Sequence, residues 1–244
     1  MIGAVRAIAR SLSMATATLV TLVACDAGSE AARATEGGIP PSSTDAAAGY
    51  RGVVLEPGPR PDFTLSDVDG KAFGFREETE SQLALLFFGY TNCPDICPVH
   101  MAGIASVLRD LPWEVRDRIR VVFVSTDPGR DTPERMREWL SGFDPRFIGL
   151  RGDLAAVNRI QATLALPPAI RGAVPPDGED GSGYEVGHAA QVLVFGAGDR
   201  RLAYPFGTRQ ADWRHDLPLL VSEFQASYAP PDTARSSNAR SGLD

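Results

Sequence analysis

The stretch from residue 83 to residue 101, LALLFFGYTNCPDICPVHM, constrains this chain more than any other. Leu83, Ala84, Leu85, Leu86, Phe87 and Phe88 form a short, unbroken apolar run, the pattern of a strand buried on both faces. Gly89 ends the run. After the turn-like Tyr90-Thr91-Asn92 comes Cys93-Pro94-Asp95-Ile96-Cys97-Pro98, and Val99, Ala102, Ile104, Ala105 and Leu108 then recur with helical spacing. Prolines belong in a helix's first turn, where their missing N–H costs nothing. The two thiols therefore stand where a buried strand hands over to a helix N-terminus. There the backbone N–H groups and the helix dipole favour thiolate, the form that attacks disulfides and ligates metals. A spacing of four brings the two Cβ atoms roughly 5–6 Å apart, near enough for both sulfurs to reach one ion or to form a disulfide. The motif fits a soft-metal site or a redox pair. Two small apolar core residues are a poor account of a cysteine pair flanked by prolines at a strand end.

Around this stretch the chain alternates. Phe63-Thr64-Leu65 and Ala72-Phe73-Gly74-Phe75 flank Asp67-Val68-Asp69-Gly70, a hairpin with its turn signal. Ile119 to Ser125 reads as a second strand. Thr132-Pro133-Glu134 supplies a capping residue, a first-turn proline and an acid, and opens a helix carrying Met136, Trp139 and Leu140. A short strand is expected at residues 147–150 and an amphipathic helix at 154–164. A Pro/Gly-rich excursion at 167–183 reads as a mobile loop. A second hairpin spans Gln191 to Phe195 and Arg200 to Tyr204, and a last helix covers 212–224. Strands alternating with helices, opened and closed by hairpins, predict an α/β fold with helices on both faces of a central mixed sheet. The cysteine pair at the end of the first buried strand is the arrangement of thioredoxin-like domains.

The chain's start reads as an export signal. Arg6 and Arg10 give a positive n-region, residues 12–23 a short apolar core, and Leu22-Val23-Ala24-Cys25 closes it. This resembles a bacterial lipobox, so residues 1–24 are expected to be a lipoprotein signal peptide and Cys25 the acylated mature N-terminus, held at a membrane by its chains. Residues 25–60, rich in Ala, Gly, Ser, Thr and Pro, read as a flexible tether, 61–228 as the folded domain and 229–244 as a disordered tail. The expected location is the bacterial cell membrane, lipid-anchored and facing the periplasm or extracytoplasmic side. Removing the leader takes the formal charge from −7 to −9, because it holds two arginines and no acid. An acidic balance without a basic cluster argues against nucleic-acid binding. With Cys25 set aside, the remaining cysteines are Cys93 and Cys97, and an exported pair needs a reductant or a metal to stay functional.

Three ordered motifs resemble the Sco/SenC family of thioredoxin-like copper-handling proteins: FGYTNCPDICP at 88–98, VSTDPGRDTPERM at 124–136, and YEVGHAAQVLVF at 184–195 followed by GDRRLAYPFG. The resemblance spans roughly residues 61–228. It implies copper ligands at Cys93, Cys97 and His188, a set suited to Cu(I), with Cu(II) held if a fourth ligand or water joins. The flexible segment ahead of His188 is expected to let that ligand swing in when metal is present. His100, three residues after Cys97, is the rival third ligand, but the motif leaves it at an exposed helix position. His215 reads as a surface or capping-region residue. A closed four-ligand zinc site would need a carboxylate or His100. Asp127 of the DPxRDTP element either lies beside the site and tunes its electrostatics or caps a turn, and Asp131 and Thr132 read as helix caps. Asp95 reads as an exposed turn acid or a modulator of the thiols, and Tyr90 as packing. Where thioredoxin-like reductases place a cis-proline, this chain has His188-Ala189-Ala190-Gln191, and Gly187 stands where the family often has an acid.

The resemblance implies a membrane-tethered copper metallochaperone that serves the copper-bearing subunit of cytochrome c oxidase during assembly, supplied by an upstream copper donor or thiol reductant. The alternative is a thiol-disulfide oxidoreductase in which Cys93 attacks a partner disulfide and Cys97 resolves it. A peroxidase-like or redox-sensing role would need an arginine near Cys93, and none is adjacent in the sequence.

Overall fold

The computed structural model describes residues 49–173 and 183–228. The expected signal peptide, Cys25, most of the tether, the core of the 167–183 loop and the tail lie outside the described residues. Ten strands and six helices follow in the order β1 (Val53–Leu55), β2 (Thr64–Asp67), β3 (Ala72–Gly74), α1 (Phe75–Thr79), β4 (Leu83–Gly89), α2 (Ile96–Asp110), α3 (Trp113–Arg116), β5 (Ile119–Ser125), α4 (Pro133–Ser141), β6 (Ile148–Arg151), α5 (Leu154–Thr163), β7 (Ile170–Arg171), β8 (Val186–Gly187), β9 (Val192–Phe195), β10 (Arg201–Tyr204) and α6 (Gln210–Tyr228).

Eight strands form one mixed sheet in the order β1-β10-β9-β4-β5-β6-β2-β3. β4, β5 and β6 run parallel, joined through α2 and α4, with Leu83 opposite Ile119 and Gly89 opposite Ser125. Antiparallel strands complete both sides. β4 sits near the middle and is buried at every position. Its alternate residues feed two cores, as a two-faced strand must. Leu83, Leu85 and Phe87 pack with Met101 and Ile104 of α2, Met136 and Leu140 of α4, and Trp213 and Leu217 of α6. Ala84, Leu86 and Phe88 pack on the other face with Val157 and Ile160 of α5 and with Phe75. The expected α/β fold, with a mixed sheet between helices and an early hairpin, is the observed one.

Local signals act as their chemistry dictates. In the β2–β3 turn the Asp67 carboxylate accepts from the N–H groups of Asp69 and Lys71, and Gly70 takes a φ of 78°. Thr132 caps α4 by accepting from the Arg135 N–H, with Pro133 next. Three expectations need correction. The folded region does not wait for residue 61: β1 pairs with β10, the N–H groups of Arg51 and Gly52 donate to buried Asp216, and so part of the expected tether is an edge strand. Three residues are too few to show a period, and the acid that anchors them is 164 residues away. The last helix runs past both expected ends, with Pro218 inside it, because Trp213, Leu217, Leu220 and Phe224 bury one face. Ile170–Arg171, inside the expected 167–183 loop, is strand β7 and pairs with Val186–Gly187 just beyond it as the β7–β8 ribbon.

Candidate metal centre

β4 delivers the cysteines. Its carboxyl end lies beside that of β5, the place where open α/β sheets hold ligands. Gly89 closes the strand, and a Cβ there would come within 2.7 Å of the Cys97 sulfur, so only glycine lets α2 approach. Cys93 lies in the turn before α2, its N–H bonded to the Tyr90 carbonyl, and Cys97 is the second residue of the helix. Cys97 has no solvent exposure, and Cys93 retains 9%.

The third donor arrives from β8. His188 Nε2 lies 3.5 Å from the Cys97 sulfur, and the donor atoms of Cys93, Cys97 and His188 all fall within 4.8 Å of one another. Among the described residues no other trio of Cys, His or carboxylate donors converges in this way. His188 Nδ1 is 2.8 Å from the Ala189 carbonyl. A carbonyl can only accept, so Nδ1 carries the proton and the Nε2 lone pair faces the sulfurs, as a metal-ligating imidazole requires. Tyr90 and Phe87 meet the His188 ring edge-on. A cavity of about 360 Å³, lined by Tyr90, Cys93, Pro94, Ile96, Val186 and His188 among others, opens the site to solvent. Another of about 370 Å³ beside the Gly196–Arg200 turn is lined by neither thiol nor imidazole.

The two thiols differ in acidity. A hydrogen bond from the Cys97 thiol, aided by backbone hydrogen bonds from Cys97 and Asp95, outweighs burial and lowers the Cys93 pKa to about 3. Burial, reinforced by that same bond, pushes Cys97 far up. Cys93 is therefore the thiolate and Cys97 the proton holder. On a soft cation both would ligate as thiolates, with the metal's charge replacing the shared proton.

The residues placed around the site by sequence reasoning fall into three groups. His100 is corrected from exposed to buried: its Nε2 donates to the Ala190 carbonyl at 2.9 Å, which removes that nitrogen from the candidate ligands. A zinc site closed by His100 loses its fourth donor, whereas a two-thiolate, one-imidazole set fits three-coordinate Cu(I). His215 lies within α6, paired with Asp216, and is no part of the site. Asp95 is exposed at the start of α2 and makes no capping bond.

Asp127 and Asp131 act at one remove. Asp131 is not a cap: fully buried, it accepts from the Thr91 N–H, the Thr91 hydroxyl and the Ser125 hydroxyl. Ser125 Oγ in turn accepts from the Asp127 N–H, and the Asp127 carboxylate accepts from the Tyr184 hydroxyl and pairs with Arg130. This polar chain links the turn before Cys93 to the segment before His188 through the end of β5. Sequence reasoning missed Asp131's part, Tyr184 and Arg135, which bonds Thr91 and Asn92. Arg135 thus brings to the cysteine turn an arginine that sequence adjacency did not show.

Comparison with known proteins identifies a family for this chain. The family model described as SCO1/SenC matches residues 57–216. A Stutzerimonas stutzeri protein provisionally named copper-binding is 34% identical over 146 residues, 59% of this chain and 68% of that protein. The mitochondrial protein SCO2 of Saccharomyces cerevisiae is 37% identical over 116 residues, 48% of this chain and only 37% of that longer protein. The copper-bound structure of Bradyrhizobium japonicum ScoI superposes with a TM-score of 0.56 at 31% identity, over 66% of this chain and 98% of the other.

Proposed function

The chain belongs to the SCO1/SenC family, and from that membership we propose that it is a copper carrier that holds its cargo through Cys93, Cys97 and His188 and delivers it to the copper-bearing subunit of cytochrome c oxidase during assembly. The observation that carries this reading is the convergence of two sulfurs and an aimed imidazole nitrogen within 4.8 Å. Soft donors in threes suit Cu(I) and leave a coordination position through which an incoming thiol can exchange. Transfer by ligand exchange needs no net chemistry on a substrate. The carrier works from a membrane surface, tethered by acyl chains on Cys25. The LVAC sequence and the polar stretch after it support that placement.

A second reading draws on the unequal thiols. An exposed-side thiolate backed by a protonated partner is the starting state for attack on a disulfide, with Cys97 resolving the mixed disulfide. Where thioredoxin-like reductases place a proline facing the cysteines, the chain has His188-Ala189-Ala190-Gln191, which favours the carrier. The deciding experiment loads the mature chain anaerobically with Cu(I) and compares it with His188→Ala. The carrier reading expects one tightly held equivalent, and thiolate-to-copper absorption of the oxidised form that is lost in the variant. No copper retention, together with disulfide reduction that survives His188→Ala and stops in Cys93→Ser, would establish the oxidoreductase instead.

A further inference from the structure

The segment carrying His188 is fastened on both sides of the ligand. Four residues before it, the buried Tyr184 ring lies between two guanidinium groups, Arg130 at 3.6 Å and Arg171 at 4.0 Å from its centroid. Its hydroxyl donates to Asp127 at 2.8 Å, and the same carboxylate pairs with Arg130. One tyrosine thus makes two cation–π contacts and a hydrogen bond to a carboxylate, a costly set to break. Two residues after His188, the Ala190 carbonyl accepts from Nε2 of His100. The His100 ring is itself wedged between Phe87 and Phe206, at 5.1 and 5.8 Å between centroids. His100 stands on α2 three residues beyond Cys97, so one rigid helix sets both a sulfur and the brace for the imidazole.

We infer that His100 and Tyr184 are positioning residues that hold His188 as a pre-aimed donor, so the three-donor site exists before any metal arrives. This replaces the expectation of a ligand that swings in on metal binding, and it rests on the reading of Cys93, Cys97 and His188 as the copper ligands. When a binding-competent conformation is only fractionally populated, apparent affinity falls by that fraction. A variant in which His188 is aimed one-tenth of the time binds roughly 10-fold more weakly, with its three donors untouched.

The test uses the mature chain and Cu(I) alone. Hydrogen exchange over residues 183–190 and the imidazole nitrogen signals of His188 are measured without copper, and Cu(I) affinity by chelator competition. Wild type is expected to show a protected segment and a single His188 tautomer, Nδ1 protonated, before copper is added. His100→Leu and Tyr184→Leu are each expected to lose that protection and to weaken Cu(I) binding by roughly 10-fold. His100→Gln, whose amide can still donate to Ala190, is expected to restore most of both, which a purely space-filling role for His100 would not do. Rapid exchange across 183–190 in copper-free wild type overturns the inference, even if the leucine variants fail to fold. So does wild-type copper affinity in folded leucine variants. A protected segment and single tautomer in a wild type that retains no Cu(I) would refute the copper reading and leave the pinning intact.

Discussion

Cys93 and Cys97 occupy one motif but two environments, and at the scale of single residues that difference is the most testable property of the chain. With its pKa lowered to about 3, chiefly by the hydrogen bond from Cys97, Cys93 is thiolate throughout the neutral range. Its alkylation by iodoacetamide should therefore be nearly flat from pH 5 to 8, as followed by peptide mass spectrometry, whereas an ordinary thiol would accelerate about tenfold per unit below its pKa of roughly 8.5. Cys97, buried and pushed the other way, should stay unmodified in the folded protein. Gly89 offers a second test. An added methyl group would meet the Cys97 sulfur at 2.7 Å and the Phe87 and Phe123 rings at 3.0 Å. Gly89→Ala should cost about 1–3 kcal/mol in chemical denaturation. Because the sulfur must move, copper stoichiometry should fall with it. A neutral outcome on both measures would mean that α2 can slide along β4 without consequence.

At the scale of elements, β1 and α6 depend on each other. Asp216 of α6 is fully buried and receives the N–H groups of Arg51 and Gly52 and the hydroxyl of Tyr204. A chain cut at residue 61 loses two of those donors and uncovers the β10 edge. It should be less stable than a chain starting at residue 49 by at least ~2 kcal/mol, read from denaturant midpoints, since hydrogen bonds to charged groups contribute about 1.5–3 kcal/mol each. Equal stability would show that β1 is dispensable. The same pair of elements shows where sequence legibility ends. The central strand, the proline-flanked cysteines, the Thr132 cap and both hairpins were readable because each signal is local: an apolar run, a ring that fixes φ, a side chain that bonds its own backbone. Asp131 bonding Thr91, His100 bonding Ala190 and Asp216 bonding Arg51 were not readable, because each joins residues 40 or more positions apart and looks in the sequence like any turn acid or helix histidine. The candidate ligand trio fell between these cases. The cysteines declare themselves by spacing, whereas His188, 91 residues beyond Cys97, was reached only through its resemblance to a family motif.

For the molecule as a whole, bound cargo should register as stability. A ligand that binds only the folded state raises unfolding free energy by about 4 kcal/mol when its free concentration is 1,000-fold above Kd. Anaerobic Cu(I), buffered at that level, should raise the melting temperature by several degrees. A competing chelator should reverse the rise, and His188→Ala should reduce it. A melt indifferent to copper would mean that the donors are not joined by metal in the folded state. Cys97, sealed at the end of a fully buried strand, gives that binding one more property. Every approach to the metal passes the Cys93 and His188 side, where the cavity opens. A newcomer's sulfur would therefore meet those donors first, and Cys97 would be the last to let a bound metal go. The difference in depth between two cysteines four residues apart would thus become an order of events: among the described residues the site has a front door and no back one, and a metal held there would leave by the way it came in.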